Sequence, residues 1–220
     1  MVPHRFNPED RATLHSPERQ QRLPIPVVLA ALNLRPTDIL IDIGAGTGYF
    51  AIPALEILGK KGRVIAVDIS RKMLNGLKEN LKGKKANLKL IVARAEKIPL
   101  PPACADRILM ALVLHEVEDK AQALAEARRL IKKNGTLVIV EWTKTDPPPG
   151  PPISDRIAYP ELLAFSQQAG LLPIAHSELN QFHYLVSFKP APKILRTTLQ
   201  QGPDNIRRYS DESRVDNKEK

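Results

Sequence analysis

Cysteine is nearly missing from this chain: Cys104 stands alone among 220 residues. A single thiol excludes an internal disulfide and any metal site built wholly of thiolates. It sits in the stretch Pro101-Pro102-Ala103-Cys104, without the surroundings of a positioned nucleophile, and reads as an ordinary surface or semi-buried thiol. Long apolar runs are missing too. None reaches the roughly 18–20 residues that span a bilayer. Residues 1–21 are polar and charged, without the apolar centre of a signal peptide, so a cytoplasmic location is expected. No internal repeat is visible.

What is present suits one α/β domain with tails. Hydrophobic residues make up 43% of the chain, enough for a core. The net charge of +9 is concentrated. Between Lys60 and Lys97, twelve Lys or Arg stand against three Asp or Glu, while the rest balances 21 against 21. The plain reading is a solvated helix face and loop around Lys78–Lys89. The sharper one is a docking surface for RNA, an anionic lipid or an acidic partner. Lys82, Lys84 and Lys85 have no aromatic neighbours on which bases could stack, which disfavours nucleic acid.

The most informative stretch is Ile39 to Phe50, Ile-Leu-Ile-Asp-Ile-Gly-Ala-Gly-Thr-Gly-Tyr-Phe. It reads as a buried strand, a glycine turn and the start of a helix. Glycines let a ligand approach the backbone, and a helix N-terminus offers free N–H groups, so the stretch predicts a nucleoside-type site. The glycines fall at 44, 46 and 48. A dinucleotide fingerprint would need a glycine at 49, where Tyr49 stands, so the usual pyrophosphate cradle is not expected.

The remaining pattern alternates. Pro26–Leu34 reads as a helix, Asp38–Ile43 as a strand, Thr47–Leu58 as a helix and Arg63–Asp68 as a strand. Ser70 caps a helix over Arg71–Leu81. Strands at Leu88–Ala93 and Asp106–Leu112 flank a proline-rich loop. A helix over Lys120–Ile131 is expected to stop at Asn134-Gly135, followed by a strand at Thr136–Trp142. This rhythm argues for a parallel sheet covered on both faces. Then Asp146–Pro152 holds five prolines in seven residues, which predicts a loop that leaves the sheet and returns. Pro160–Ala169 reads as a helix, and Leu171–Ser177 with Phe182–Phe188 as an antiparallel pair. The expected division is an arm or lid over 1–25, a main domain over 26–190 and a polar, disordered tail over 191–220.

Asp68 ends the second strand, beside the glycine loop in a doubly wound sheet. Alone it reads equally as a helix cap or a ligand group. With the loop at this distance, it reads as a carboxylate that accepts both ribose hydroxyls.

Four stretches carry a resemblance: Ile-Asp-Ile-Gly-Ala-Gly-Thr-Gly-Tyr-Phe at 41–50, Val-Asp-Ile-Ser at 67–70, Ala-Glu-Lys-Ile-Pro-Leu-Pro at 95–101 and Val-Leu-His-Glu-Val-Glu-Asp at 113–119. Over roughly residues 5–190 the chain resembles the class I S-adenosylmethionine-dependent methyltransferases, and most of all the small ubiquinone/menaquinone-biosynthesis group. The resemblance implies a Rossmann-like, three-layer α/β/α fold. Its seven-stranded sheet would have the order 3-2-1-4-5-7-6, with strand 7 antiparallel. It implies S-adenosyl-L-methionine as cofactor. Gly44, Ala45, Gly46, Gly48 and Tyr49 would line its methionine half, with Asp42 at the amino group. Asp68 would bind the ribose, and Ile69 and Met73 would flank the adenine. Ala95 and Glu96 would edge it, and Leu112 would form the floor under the sulfonium. Many relatives carry an acidic residue at the position of Arg94. Arginine has no acceptor, which leaves the adenine amino group to Glu96 or a backbone carbonyl.

For catalysis, His115 could take a proton from the acceptor, with Glu116 beside it. The alternative is that His115 packs locally while Glu116, Glu118 and Asp119 favour the next helix N-terminus. Glu141, Trp142 and Tyr159 are candidates for the acceptor wall, although Trp142 also reads as simple packing. His176 and His183 read as structural. No metal site is expected. One cysteine excludes arsenite methylation, and Ala-Leu-Val-Leu-His-Glu after strand four is not the Asn-Pro-Pro-aromatic stretch of the amine methylases. The expectation is methyl transfer to a small-molecule acceptor by direct displacement, under a cover of residues 1–25 and 147–152. The rivals are a catalytically silent cofactor-binding subunit and an RNA methyltransferase using the basic 60–97 surface.

Overall fold

The computed structural model describes Asn7, Glu9, Leu14 and residues 16–84, 86–145 and 150–192. Most of residues 1–15, the segment 146–149 and the tail from 193 lie outside the described residues.

Five parallel strands build the sheet: β1 (Ile39–Ile43), β2 (Arg63–Asp68), β3 (Leu88–Val92), β4 (Ala105–Ala111) and β5 (Ile131–Trp142). They are joined by β6 (Leu171–Asn180) and β7 (His183–Pro190), with β7 antiparallel to both β5 and β6. The order is β3-β2-β1-β4-β5-β7-β6, as the resemblance implied. β1, β2 and β4 are buried on both faces, and their side chains alternate between two cores. Leu40 and Val64 point into one, with α2 (Ile25–Leu32), α3 (Ala51–Ile57) and α4 (Arg71–Asn80). Ile41 and Ile65 point into the other, with α5 (Lys120–Leu130) and α6 (Tyr159–Gln168).

Two helices begin where side-chain acceptors stand. Ser70 Oγ accepts from Met73 N at 3.3 Å, and Asp119 Oδ1 accepts from Gln122 N at 2.9 Å. Both place a loop at the carboxyl end of a strand, after β2 and after β4, where ligands bind in open α/β sheets.

Three expected boundaries move. α3 starts at Ala51 rather than Thr47, because Gly48 takes φ +90° and cannot be helical. α5 ends at Leu130, and Ile131 is already extended. Gly135 is therefore not a left-handed cap. A Cβ there would lie 2.8 Å from the carbonyl oxygen of Asp106 and 2.6 Å from Ile131, so glycine is required by close approach at a bulge between β4 and β5. Finally, residues 16–25 are continuous with the domain. α1 (Pro17–Arg22) ends at Leu23, which is fully buried in the core, and Tyr49 Oη donates to the Leu23 carbonyl at 2.8 Å.

Candidate cofactor and acceptor site

A cavity of about 500 Å³ opens at the carboxyl ends of β1, β2 and β4. Its glycine loop is latched from below and from the side. Gly44 N and Ala45 N donate to the Val67 carbonyl at 2.8 and 3.0 Å. Asp68 Oδ2 accepts from Gly46 N at 2.9 Å, and its Oδ1 accepts from Ser70 N at 2.8 Å. One carboxylate thus ties the loop after β1 to the loop after β2. Burial raises the Asp68 pKa, and the two amides only partly offset this.

Asp42, at the centre of β1, is almost fully buried yet lines the cavity. Its carboxyl makes no hydrogen bond with any described residue. Burial, and then the Asp68 charge, push its pKa up to about 7. A cation arriving in the cavity would offset both effects. The residues therefore fit a ligand with a positively charged end and a ribose: an unpartnered buried acid, a glycine cradle and a carboxylate with remaining acceptor positions.

Apolar surface comes from Ile69, half exposed, and from Met73. Ala95 and Glu96 lie on the loop after β3. Arg94 crosses this edge. It pairs with Glu96 at 2.8 Å and with Glu118 at 2.9 Å, joining the loops after β3 and β4. Burial would raise Glu96, but the Arg94 hydrogen bond and charge, with local backbone donors, hold it below the usual range. Leu112 lines the cavity in the left-handed region, φ 55°, while its N–H donates to the Val140 carbonyl at 2.8 Å. A branched side chain rarely adopts this backbone, and the sheet next to it holds it there.

At the other end stands His115, on a 3₁₀ turn (Leu114–Glu116) directly after β4. It is buried, and its Nδ1 lies 2.8 Å from Glu141 Oε2. Glu141 Oε1 accepts from the His115 backbone N at 3.2 Å, and Oε2 also accepts from Trp142 N at 3.2 Å. Burial alone would lower the His115 pKa. The Glu141 carboxylate, with Glu116 in a lesser role, outweighs it and leaves the pKa raised. With Nδ1–H given to Glu141, Nε2 keeps its lone pair, and His115 borders the cavity.

Three candidates stand elsewhere. Glu141 is fully buried under His115 and is not wall surface. Gly48 is outside the lining; a Cβ there would lie 2.8 Å from Leu77 and 3.0 Å from Ile52, so the position serves helix packing. Tyr159 is outside the lining too, stacked on His176 with ring centroids 4.0 Å apart. The remaining candidates all line the cavity: Asp42, Gly44, Ala45, Gly46, Tyr49, Asp68, Ile69, Met73, Ala95, Glu96, Leu112, His115, Glu116 and Trp142.

Sequence reasoning missed the cover's anchor. Arg156 is 1% exposed; its Nε donates to the Pro151 carbonyl at 3.1 Å and its Nη1 to the Thr143 carbonyl at 2.9 Å. This holds Gly150 and Pro151 over the cavity. Gly150 lies on the Trp142 indole so closely that a Cβ would meet three ring atoms at 2.8 Å. Trp142 also meets the His183 ring at 4.2 Å between centroids. From the amino-terminal side, Leu14 and Arg19 reach the same cavity. The only available signal for Arg156 was a basic residue just after a proline-rich loop, which is too weak to act on.

Residues 41–139 match the family described as a methyltransferase domain. A crystal structure of an S-adenosylmethionine-dependent methyltransferase from Aquifex aeolicus superposes with a TM-score of 0.77 at 27% identity, covering 84% of this chain and 98% of that one. Over residues 41–139 the chain is similar to that methyltransferase-domain family, and over most of its length to an S-adenosylmethionine-dependent methyltransferase. The ubiquinone/menaquinone biosynthesis C-methyltransferase UbiE of Francisella philomiragia is 36% identical over 118 residues, which is 53% of this chain and 47% of that protein. The UbiE protein of Vibrio cholerae is 36% identical over 112 residues, 50% and 43% of the two chains. The chain therefore spans less than half the length of these two relatives. The glycine loop, Asp42 and Asp68 form a cavity whose chemistry matches S-adenosylmethionine, the compound named for the Aquifex aeolicus neighbour. Among the described residues no helix is long and apolar enough to cross a membrane, and no cluster of three His, Cys, Asp or Glu is placed to hold a metal ion.

Proposed function

We propose that this protein transfers a methyl group from S-adenosylmethionine to a small-molecule acceptor whose attacking atom gives up a proton to His115. One observation carries the reading: the acids Asp42 and Asp68 and the imidazole of His115, itself held by buried Glu141, border a single covered cavity. The cofactor, when bound, supplies a methyl group already activated on a sulfonium. The protein's own work is then to bind, orient and dry the site.

In this reading Asp42 receives the cofactor's ammonium and Asp68 its ribose hydroxyls. Ile69 and Met73 pack on the adenine, with Ala95 and Glu96 along its edge. Gly44, Ala45, Gly46 and Tyr49 line the methionine half, and Leu112 forms the floor beneath the reacting centre. Glu141 holds the His115 tautomer, so that Nε2 faces the acceptor and takes its proton. Glu116 lies 3.8 Å from that nitrogen and favours the imidazolium so formed. Gly150, Pro151 and Leu14 exclude water. The name of the UbiE relatives places their methyl on carbon. An acceptor carbon or hydroxyl that must lose a proton is the class that a His–Glu pair serves.

The protein incubated with S-adenosylmethionine and the small-molecule fraction of a cell extract, followed by mass spectrometry, tests this. The expected result is one compound that gains a single methyl group with matching S-adenosylhomocysteine, and less of both with His115→Asn. Product unchanged in His115→Asn would remove the proton-transfer role. No methylated product from any fraction would remove the activity.

A further inference from the structure

Two arginines line the cavity, and among the described residues only Arg94 has an acidic partner. Arg94 pairs with Glu96 and Glu118. Arg19, on α1, makes no side-chain hydrogen bond or ion pair with any described residue, and its Nε is buried without a partner. Its guanidinium sits 5.1 Å from the centroid of the Tyr49 ring, a contact that holds the fork in place without neutralising it. The nearby charge adds to the imbalance. Burial, and to a lesser degree the neighbouring Arg22, disfavour the charged form of Arg19, which Tyr49 only partly offsets; burial first, and then the Arg19 charge, lower the His183 pKa to about 4. A half-buried guanidinium whose Nε is shut off from water is costly without an anion, and its planar fork matches a carboxylate in two parallel hydrogen bonds.

We propose that Arg19 is the cavity's receptor for a carboxylate. The same cavity holds its complement in Asp42, the buried acid without a hydrogen-bond partner among the described residues, so the lining is matched to a ligand bearing both signs of charge. Two sources bring a carboxylate here: the amino-acid end of the cofactor and a carboxylated acceptor. The inference rests on the methyl-transfer reading only for the choice of probes. Arg19 belongs to the helix that covers the site, and Tyr49 Oη binds the end of that helix through Leu23. An anion on Arg19 therefore also fastens the cover.

Calorimetric titration separates the sources. The probes are S-adenosylhomocysteine, its decarboxylated analogue, and benzoate against phenol, with wild type, Arg19→Gln and Arg19→Lys. Thermal melts confirm that each variant is folded, and Arg19→Lys keeps the charge if Arg19→Gln does not fold. If the cofactor is the source, Arg19→Gln binds S-adenosylhomocysteine about ten- to a hundredfold more weakly, as expected for losing a charged hydrogen bond. The wild type then discriminates against the decarboxylated analogue by the same factor, and the two losses do not add. If the acceptor is the source, S-adenosylhomocysteine binds equally to wild type and variant, while the loaded variant loses the preference for benzoate over phenol. Unchanged affinity for all probes in Arg19→Gln overturns the proposal. Absence of S-adenosylhomocysteine binding to wild type instead overturns the methyl-transfer reading. Benzoate titrated into the unloaded protein then still decides Arg19, with a loss in the variant supporting it and equal binding overturning it.

Discussion

The two ends of the cavity are built differently. In the proposed reading the cofactor end draws mainly on two loops close in sequence, after β1 and after β2, latched together by Asp68 through Gly46 N and Ser70 N, with Ala95, Glu96 and Leu112 added from later loops. The acceptor end is assembled from segments far apart in sequence, with His115 after β4, Glu141 and Trp142 at the end of β5, Gly150–Pro151 beyond them and α1 before them all. Local chain imposes a local geometry, which a motif can carry. An assembled site depends on which strands become neighbours, and it can change from protein to protein while the first end stays the same.

Perturbing each end should separate them. The largest effect is expected at the cofactor end. Asp68→Ala removes the ribose acceptor and the latch together, and S-adenosylhomocysteine affinity should fall a hundredfold or more by calorimetry, the sum of at least two charged hydrogen bonds. A loss under fivefold would mean that the loop holds itself.

At the acceptor end, Glu141→Ala should cost folding rather than cofactor affinity. It leaves buried His115 without its counter-charge, and such losses run to about 3–5 kcal/mol in denaturant unfolding. Glu141→Gln is the gentler variant and reads the electrostatics. In wild type, His115 accepts a proton only above its raised pKa, so activity should climb with pH through that value. Without the Glu141 charge, burial dominates and the pKa falls. The acid limb should therefore move to lower pH even as the plateau drops. A lower plateau with an unmoved limb would assign Glu141 a packing role alone.

Asp42 predicts a smaller effect, with a definite sign. Its folded pKa, about 7, lies above its ordinary 3.8, so the folded state keeps a proton that the unfolded state has lost. Wild-type stability should thus fall as pH rises from about 4 to about 7. Asp42→Asn should flatten this trend and melt higher at pH 8, by at least the 2–4 °C that about 1 kcal/mol gives in a chain of this size. The smallest effect belongs to Arg94→Ala. Arg94 and Glu118 are largely exposed, and exposed pairs contribute little, so cofactor affinity should change less than about threefold.

This contrast also explains what was legible in the sequence. The strand order followed from the resemblance, and Ser70 and Asp119 announced their helices by type and position. The place of Asp42, Gly44, Gly46 and Asp68 at the cavity was legible because a strand, a turn and a helix in sequence leave them few places to go. Gly48 lies outside the lining, and nothing local in the sequence distinguishes a residue packed on Leu77 from one facing the cavity. Glu141 read as wall because its meeting with His115 requires β4 and β5 to be adjacent. Tyr159 read the same way, and only the β6 edge reveals its stack on His176. Arg156 and Arg19 carried no motif at all. Arg156 is defined by the carbonyls around it, and the proposal for Arg19 by the lack of a counter-charge among the described residues.

The most direct test of the central claim is a crystal structure with S-adenosylhomocysteine bound. The account predicts the ribose hydroxyls on Asp68, the ammonium beside Asp42, the adenine against Ile69 and Met73, and the sulfur above Leu112 facing the His115 end. A ligand seated elsewhere, or one whose ribose ignores Asp68 while the Asp68–Gly46 bond persists, would contradict it.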